Sequence, residues 1–126
     1  ALEQARGPWD LVVLPGGLGG TERMAVSEPL LALLRERVEA GQPVAAICAA
    51  PIVLDRAGVL EEGHFTCYPG VEGRLDAVGR RPERVVDEGG VITSQGPATA
   101  MEFALHLVYL LVGDARRREV AAGLLV

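Results

Sequence analysis

Lysine is absent from this 126-residue chain, and all twelve basic positions are arginine. That bias is read as the mark of a GC-rich genome and carries no functional weight. An excess of positive charge is also missing: the net charge is -5, with arginines and acids interspersed. No basic stripe is available to neutralise phosphates, so nucleic-acid binding is not expected. No segment approaches the roughly 18 consecutive apolar residues that a membrane-spanning helix needs, and the first residues lack the order of a signal peptide. The reading is of a soluble, cytoplasmic protein without a membrane partner. Cysteine is scarce: Cys48 and Cys67 are too few for a disulfide framework, and neither lies in a Cys-x-x-Cys pair or at metal-ligand spacing. Neither a metal nor any other cofactor is expected, and any cysteine chemistry is that of a free thiol.

What is present is the apolar content of an ordinary globular protein, 49% hydrophobic against 23% charged. The length suits one domain, taken as residues 1–126. Strand-like and helix-like segments alternate, the signature of a mostly parallel sheet covered on both faces. Leu11–Leu14 is a continuous apolar run ending at Pro15-Gly16-Gly17, as a doubly buried strand should be, and a glycine-rich loop follows. Ser27 can cap a helix carrying Leu30, Leu31, Leu34 and Val38 on one face, with Gly41 past its end. Val44–Ile47 reads as a second strand running through Cys48 straight into a helix from Ala49. Shorter strand-like pieces follow at Phe65–Tyr68, Val85-Val86 and Val91–Thr93. Gly96-Pro97 opens the longest helix, whose Met101, Ala104, Leu105, Val108, Leu111 and Val112 keep helical spacing up to Gly113, and a last helix occupies Ala115–Leu125.

The glycines after the first strand invite a nucleotide-binding reading, but they fail its templates. A dinucleotide fingerprint starting at Gly17 needs glycine or alanine where Glu22 stands, and no Gly-Lys-Ser/Thr follows for a phosphate loop. Residues without a Cβ can instead turn sharply and aim backbone N–H groups at an anionic centre. Cys48 occupies the complementary position. A strand leading directly into a helix forces a tight turn that leaves its central side chain exposed above the sheet, and Ala45, Ala46, Ala49 and Ala50 are small enough for that crowding. A thiol at a helix N-terminus also feels the positive end of the helix dipole. Local pattern alone leaves a buried structural cysteine as an equal alternative.

Three ordered stretches resemble the ThiJ/PfpI superfamily, in its YajL-like branch related to the Parkinsonism-associated protein deglycase. They are Asp10–Gly17, Ala45–Pro51 around Cys48, and Thr93–Ala100 with Glu102-Phe103. The resemblance implies a flavodoxin-like three-layer α/β sandwich, a homodimer, and a nucleophilic, readily oxidised Cys48. It also implies an oxyanion site formed by the backbone N–H groups of Gly17 and Ala49, with Gly16 and Tyr68 lining the pocket. In the family the cysteine is hydrogen-bonded to a glutamate on the first helix, before the glycine turn. This sequence begins too late to contain it, so the chain reads as the C-terminal two-thirds of the domain, lacking a β-α-β portion and open to a companion N-terminal fragment. Tyr68 stands where some relatives carry a histidine. His64 and His106 offer no ready substitute, and Glu22 and Glu28 read as surface helix carboxylates. Cys67 reads as half-buried in a strand.

The resemblance implies a cysteine-dependent stress-response protein acting on small reactive dicarbonyls or on glycated protein side chains. A redox-sensing holdase chaperone without turnover is the alternative, and a PfpI-like peptidase is a weaker one because no histidine base can be placed.

Overall fold

In the computed structural model, which describes residues 7–126, four strands form one sheet. They are β1 (Val12–Leu14), β2 (Val44–Ile47), β3 (Val85–Glu88) and β4 (Val91–Ser94), in the spatial order β1-β2-β4-β3. β1, β2 and β4 run parallel, as the alternating sequence pattern requires, whereas β3 returns antiparallel to β4. That reversal takes two residues: Gly89 and Gly90 have φ of 57° and 90°, the left-handed pair that a two-residue hairpin demands.

Helices cover both faces. α1 (Leu18–Ala25) and α2 (Glu28–Glu39) connect β1 to β2, α3 (Pro51–Arg56) follows β2, and α4 (Ala100–Val112) and α5 (Asp114–Gly123) close the chain. Side chains alternate along β2, so Val44 and Ala46 join Leu14, Leu30, Leu34, Ile52 and Leu54 in one core. Ala45 turns to the other face and packs with Ile92, Phe103 and Leu107 of the α4 layer. The result is the three-layer, mostly parallel α/β sandwich expected from the sequence.

Several local expectations are corrected. The glycine-rich stretch is not a loop throughout: α1 starts at Leu18 and includes Gly19 and Gly20. Ser27 occupies the N-cap of α2 in extended conformation, but its side chain makes no capping bond, and its carbonyl accepts from Leu31 N at 3.0 Å. Phe65–Tyr68 contributes only an isolated bridge, Phe65 to Arg80. β1 is not doubly buried. Among the described strands it stands at the sheet edge with Val13 43% exposed, because the α4 layer packs on β2 and β4 and does not cover β1. The apolar stripe expected to bury α4 is for the same reason largely in solvent: Met101, Leu111 and Val112 are exposed, and Phe103, Leu105 and Leu107 are the buried residues. The single domain expected over residues 1–126 includes positions 1–6, which lie outside the described residues.

Candidate functional site

Three loops meet where parallel strands end. Gly16-Gly17 follows β1, Cys48 follows β2, and Gln95-Gly96 follows β4, so the carboxyl ends of three neighbouring strands open onto one spot. Cys48 is the central residue of a reversal between β2 and α3. Its φ is 65°, in the left-handed region that a residue with a Cβ adopts at a cost of about 1–2 kcal/mol. The strand end is fixed from both sides: Cys48 N–H donates to Ser94 O at 3.1 Å, and Tyr68 N–H donates to Cys48 O at 2.9 Å. The expectation of a helix starting directly after the thiol is corrected by two turn residues, Ala49 and Ala50, before α3 begins at Pro51.

Gly16 is dictated by contact. A Cβ there would lie 2.8 Å from Cys48 Cβ, 3.2 Å from Ile47 O and 3.5 Å from Cys48 Sγ. Only glycine lets the end of β1 press against the cysteine. Gly17, with φ 91°, turns the chain into α1, and its carbonyl accepts from Thr21 N at 2.9 Å. Cys48 is half-buried, while Ala49 beside it is buried.

Tyr68 lies across Gly96, whose missing Cβ would stand 3.2 Å from the Tyr68 ring. Together with Pro69, Arg84, Gln95, Pro97, Ala98 and Thr99 they line a cavity of about 170 Å³, tied to the Cys48 turn through the Tyr68 N–H bond to Cys48 O. Larger hollows exist, 380 Å³ between β3, α4 and α5 and 520 Å³ between α2 and the end of α3, and no cysteine lines any of the three.

The sequence reading overlooked the network that shapes this wall. Thr99 Oγ1 accepts from Gln95 N at 3.2 Å and Gly96 N at 3.1 Å, donates to Gly96 O at 3.0 Å and lies 2.6 Å from Ser94 Oγ. Ser94 Oγ in turn donates to Arg84 O at 2.7 Å. The available signal was a hydroxyl residue three positions after Gly96, the spacing at which side chains cap turns.

The other candidates lie apart. Cys67 is fully buried, not half-buried, against Phe65 and Ala77. Burial, reinforced by the Glu72 carboxylate 4.0 Å away, pushes its thiol up to about 11. His64 pairs with Glu88 at 3.1 Å and His106 with Asp87 at 2.7 Å, both on β3. Glu22 pairs with Arg74 at 3.3 Å and Glu28 with Arg35 at 3.9 Å, as surface carboxylates do. Among the described residues no cluster of three or more His, Cys, Asp or Glu is placed to hold a metal ion, and no helix is long and apolar enough to cross a membrane.

The chain is similar to known proteins over most of its length. The protein dj-1beta of Drosophila melanogaster is 45% identical over 120 residues, covering 94% of this chain and 64% of that protein. The glutathione-independent glyoxalase DJR-1.2 of Caenorhabditis elegans is 37% identical over 110 residues, covering 86% of this chain and 58% of that one. The chain thus spans less than two-thirds of the length of these relatives. The crystal structure of Drosophila DJ-1beta superposes with a TM-score of 0.94 at 43% identity, over all of this chain and 69% of the other. The model of the DJ-1/PfpI family matches residues 2–110. This chain belongs to the DJ-1/PfpI family.

Proposed function

We propose that the protein is a cysteine-dependent detoxifying enzyme of the glyoxalase or deglycase type, with Cys48 as nucleophile. The observation that carries this reading is the left-handed Cys48 at the meeting point of three strand ends, with Gly16 forced to glycine by direct contact. A strained, half-buried turn residue above a parallel sheet is the arrangement in which nucleophiles are presented. A relative named as a glutathione-independent glyoxalase agrees with it.

In this reading the Cys48 thiolate attacks the aldehyde carbon of a dicarbonyl such as methylglyoxal and forms a hemithioacetal. The backbone N–H groups of Gly17 and Ala49 receive the developing oxyanion. A proton then moves from the former aldehyde carbon to the neighbouring carbon. The first reaches the acyl level as the second falls from ketone to alcohol, and water releases lactate and the thiol. No external oxidant or reductant is consumed. On a protein adduct the bond between the former aldehyde carbon and the side chain's sulfur or nitrogen breaks, the side chain leaves with a proton, and the same carbon passes to the Cys48 sulfur as the hemithioacetal. Gly16 and Tyr68 are the pocket residues of this proposal, and a homodimer or a companion polypeptide is its proposed assembly.

The test is methylglyoxal loss and lactate appearance with the purified protein and its Cys48→Ser variant. Loss proportional to time and enzyme, abolished in the variant, supports the proposal. Cys48 gaining oxygen under mild peroxide without any turnover would support the second reading, a redox sensor. That reading is favoured by the contrast between a half-buried Cys48 and a sealed Cys67.

A further inference from the structure

Cys48 takes up its left-handed backbone at the end of the β2–β4 ladder, where its N–H donates to Ser94 O at 3.1 Å. Backbone strain of this kind persists only where the surroundings over-determine it. The Cys48 side chain sits against Gly16 at the end of β1, whereas its amide is held from the other edge of β2, by β4. Whatever places Ser94 O therefore places the thiol.

Two buried hydroxyls, those of Ser94 and Thr99, do the placing. The Ser94 proton is committed to Arg84 O at 2.7 Å, so the 2.6 Å contact between the two hydroxyls is made by the Thr99 proton, which also lies 3.0 Å from Gly96 O. The lone pairs of Thr99 Oγ1 are then free to accept from Gln95 N–H at 3.2 Å and Gly96 N–H at 3.1 Å. These amides follow directly on β4, and a side chain that takes them competes with any extension of the strand. β4 accordingly ends at Ser94, with its final carbonyl on the Cys48 amide. The far acceptor is anchored as well. Arg84 Nε donates to Glu102 at 2.7 Å and its Nη2 to Ala98 O at 2.8 Å, which ties the approach to β3 to the start of α4.

Resting on the reading of Cys48 as the reacting group, we propose that Thr99 is a positioning residue for it: the Thr99 hydroxyl ends β4 at Ser94, fixes the carbonyl that holds the Cys48 amide, and so sets the thiol against the Gly16-Gly17 turn. Thr99 touches no substrate in this role. Its loss belongs to kcat, because a displaced thiol still meets its substrate but attacks from a poorer geometry.

Thr99→Val keeps the shape of the side chain and removes the hydroxyl, whereas Thr99→Ser keeps the hydroxyl. Amide hydrogen exchange compares Cys48 with Val44, whose N–H donates to Gly90 O at 2.9 Å at the other end of β2. In Thr99→Val, exchange at Cys48 should accelerate at least tenfold more than at Val44, and kcat for methylglyoxal should fall at least tenfold with KM within twofold. Thr99→Ser should restore both to within threefold of the wild type. Arg37→Met is the control for lost stability, since its bonds to Trp9 O and Pro43 O lie at the opposite strand ends, and it should leave kcat within twofold. Equal acceleration at Cys48 and Val44 in Thr99→Val would make Thr99 a general stabiliser and overturn the proposal. A Thr99→Ser protein as impaired as Thr99→Val would overturn it too, by assigning the effect to packing. Should the wild type turn over no methylglyoxal while Cys48 exchange responds as stated, the enzymatic reading fails and the hold of Thr99 on the turn stands. Should wild type and Thr99→Val turn over methylglyoxal equally, positioning fails and the enzymatic reading stands.

Discussion

Cys48 and Gly16 share one steric problem. The cysteine accepts a left-handed backbone, and the glycine gives up its side chain so that the two strand ends can touch. Gly16→Ala drives a methyl group to 2.8 Å from Cys48 Cβ and 3.2 Å from a backbone carbonyl. Neither neighbour can swing away, so the variant should lose about 1–3 kcal/mol of stability, the usual range for overpacking. Peroxide oxidation of Cys48, read by intact mass, should change with it. An unaltered melting temperature and oxidation rate would show that the strand ends are not held in contact. Cys67 supplies a prediction of opposite character, since its thiol is held neutral by burial. Its pKa rises from 9.0 to about 11, so between these values the unfolded chain releases a proton that the folded chain retains. Stability therefore falls as pH climbs through that window and is unaffected below it, by about 2–3 kcal/mol at the upper end. Urea midpoints measured at pH 8 to 11 should decline more steeply for the wild type than for Cys67→Ala; parallel slopes would refute it.

At the scale of elements, the strands β1, β2 and β4 and the turn at Cys48 were legible because their signals are local: apolar runs, alanine-rich crowding and glycines at strand ends. The less legible features depend on partners distant in sequence. Arg37 is an example, a charged residue of α2 that is only 3% exposed. It donates to Pro43 O at 3.2 and 2.8 Å and to Trp9 O at 2.9 Å, tying α2 to the approaches of both β2 and β1. Burial lowers its pKa and Asp10 opposes that shift. Arg37→Met keeps the aliphatic bulk but strands two carbonyls, and should cost about 2–4 kcal/mol. Arg37→Lys, which cannot fork between two acceptors, should recover less than half, as measured by chemical denaturation. The α4 stripe misled for a related reason. Helical periodicity reports that a face is apolar and not what covers it, so Phe103 and Leu107, off the expected stripe, meet the sheet while Met101 and Leu111 do not. The site's second wall escaped notice because Thr99 acts through a hydroxyl that reaches back across a turn, a role that no periodicity encodes.

For the molecule as a whole, the consequence of that misdirected stripe is an apolar surface that water does not favour. Val13 lies on the same sheet face as its β2 partner Ala45, which α4 covers, and yet Val13 is 43% exposed. Met101, Tyr109, Leu110, Leu111 and Val112 add exposed apolar area along the helix. β1 is also a sheet edge among the described strands, with one side available for further pairing. Exposed side chains scattered singly need no partner, but a stripe along one helix beside an open strand marks an association surface. The protein should therefore self-associate in a concentration-dependent way, and Leu111→Arg should weaken that association. Burying one leucine contributes about 1.5–3 kcal/mol, and a two-fold interface counts the residue twice, so the dissociation constant should rise by about a hundredfold or more. Sedimentation of both forms over a range of concentrations decides the matter. Because Leu111 is 47% exposed in the single chain, its replacement should leave the melting temperature of the dilute protein almost unchanged. A variant that both melts early and still associates would mean that the stripe belongs to the fold of the single chain and that another face carries the contact.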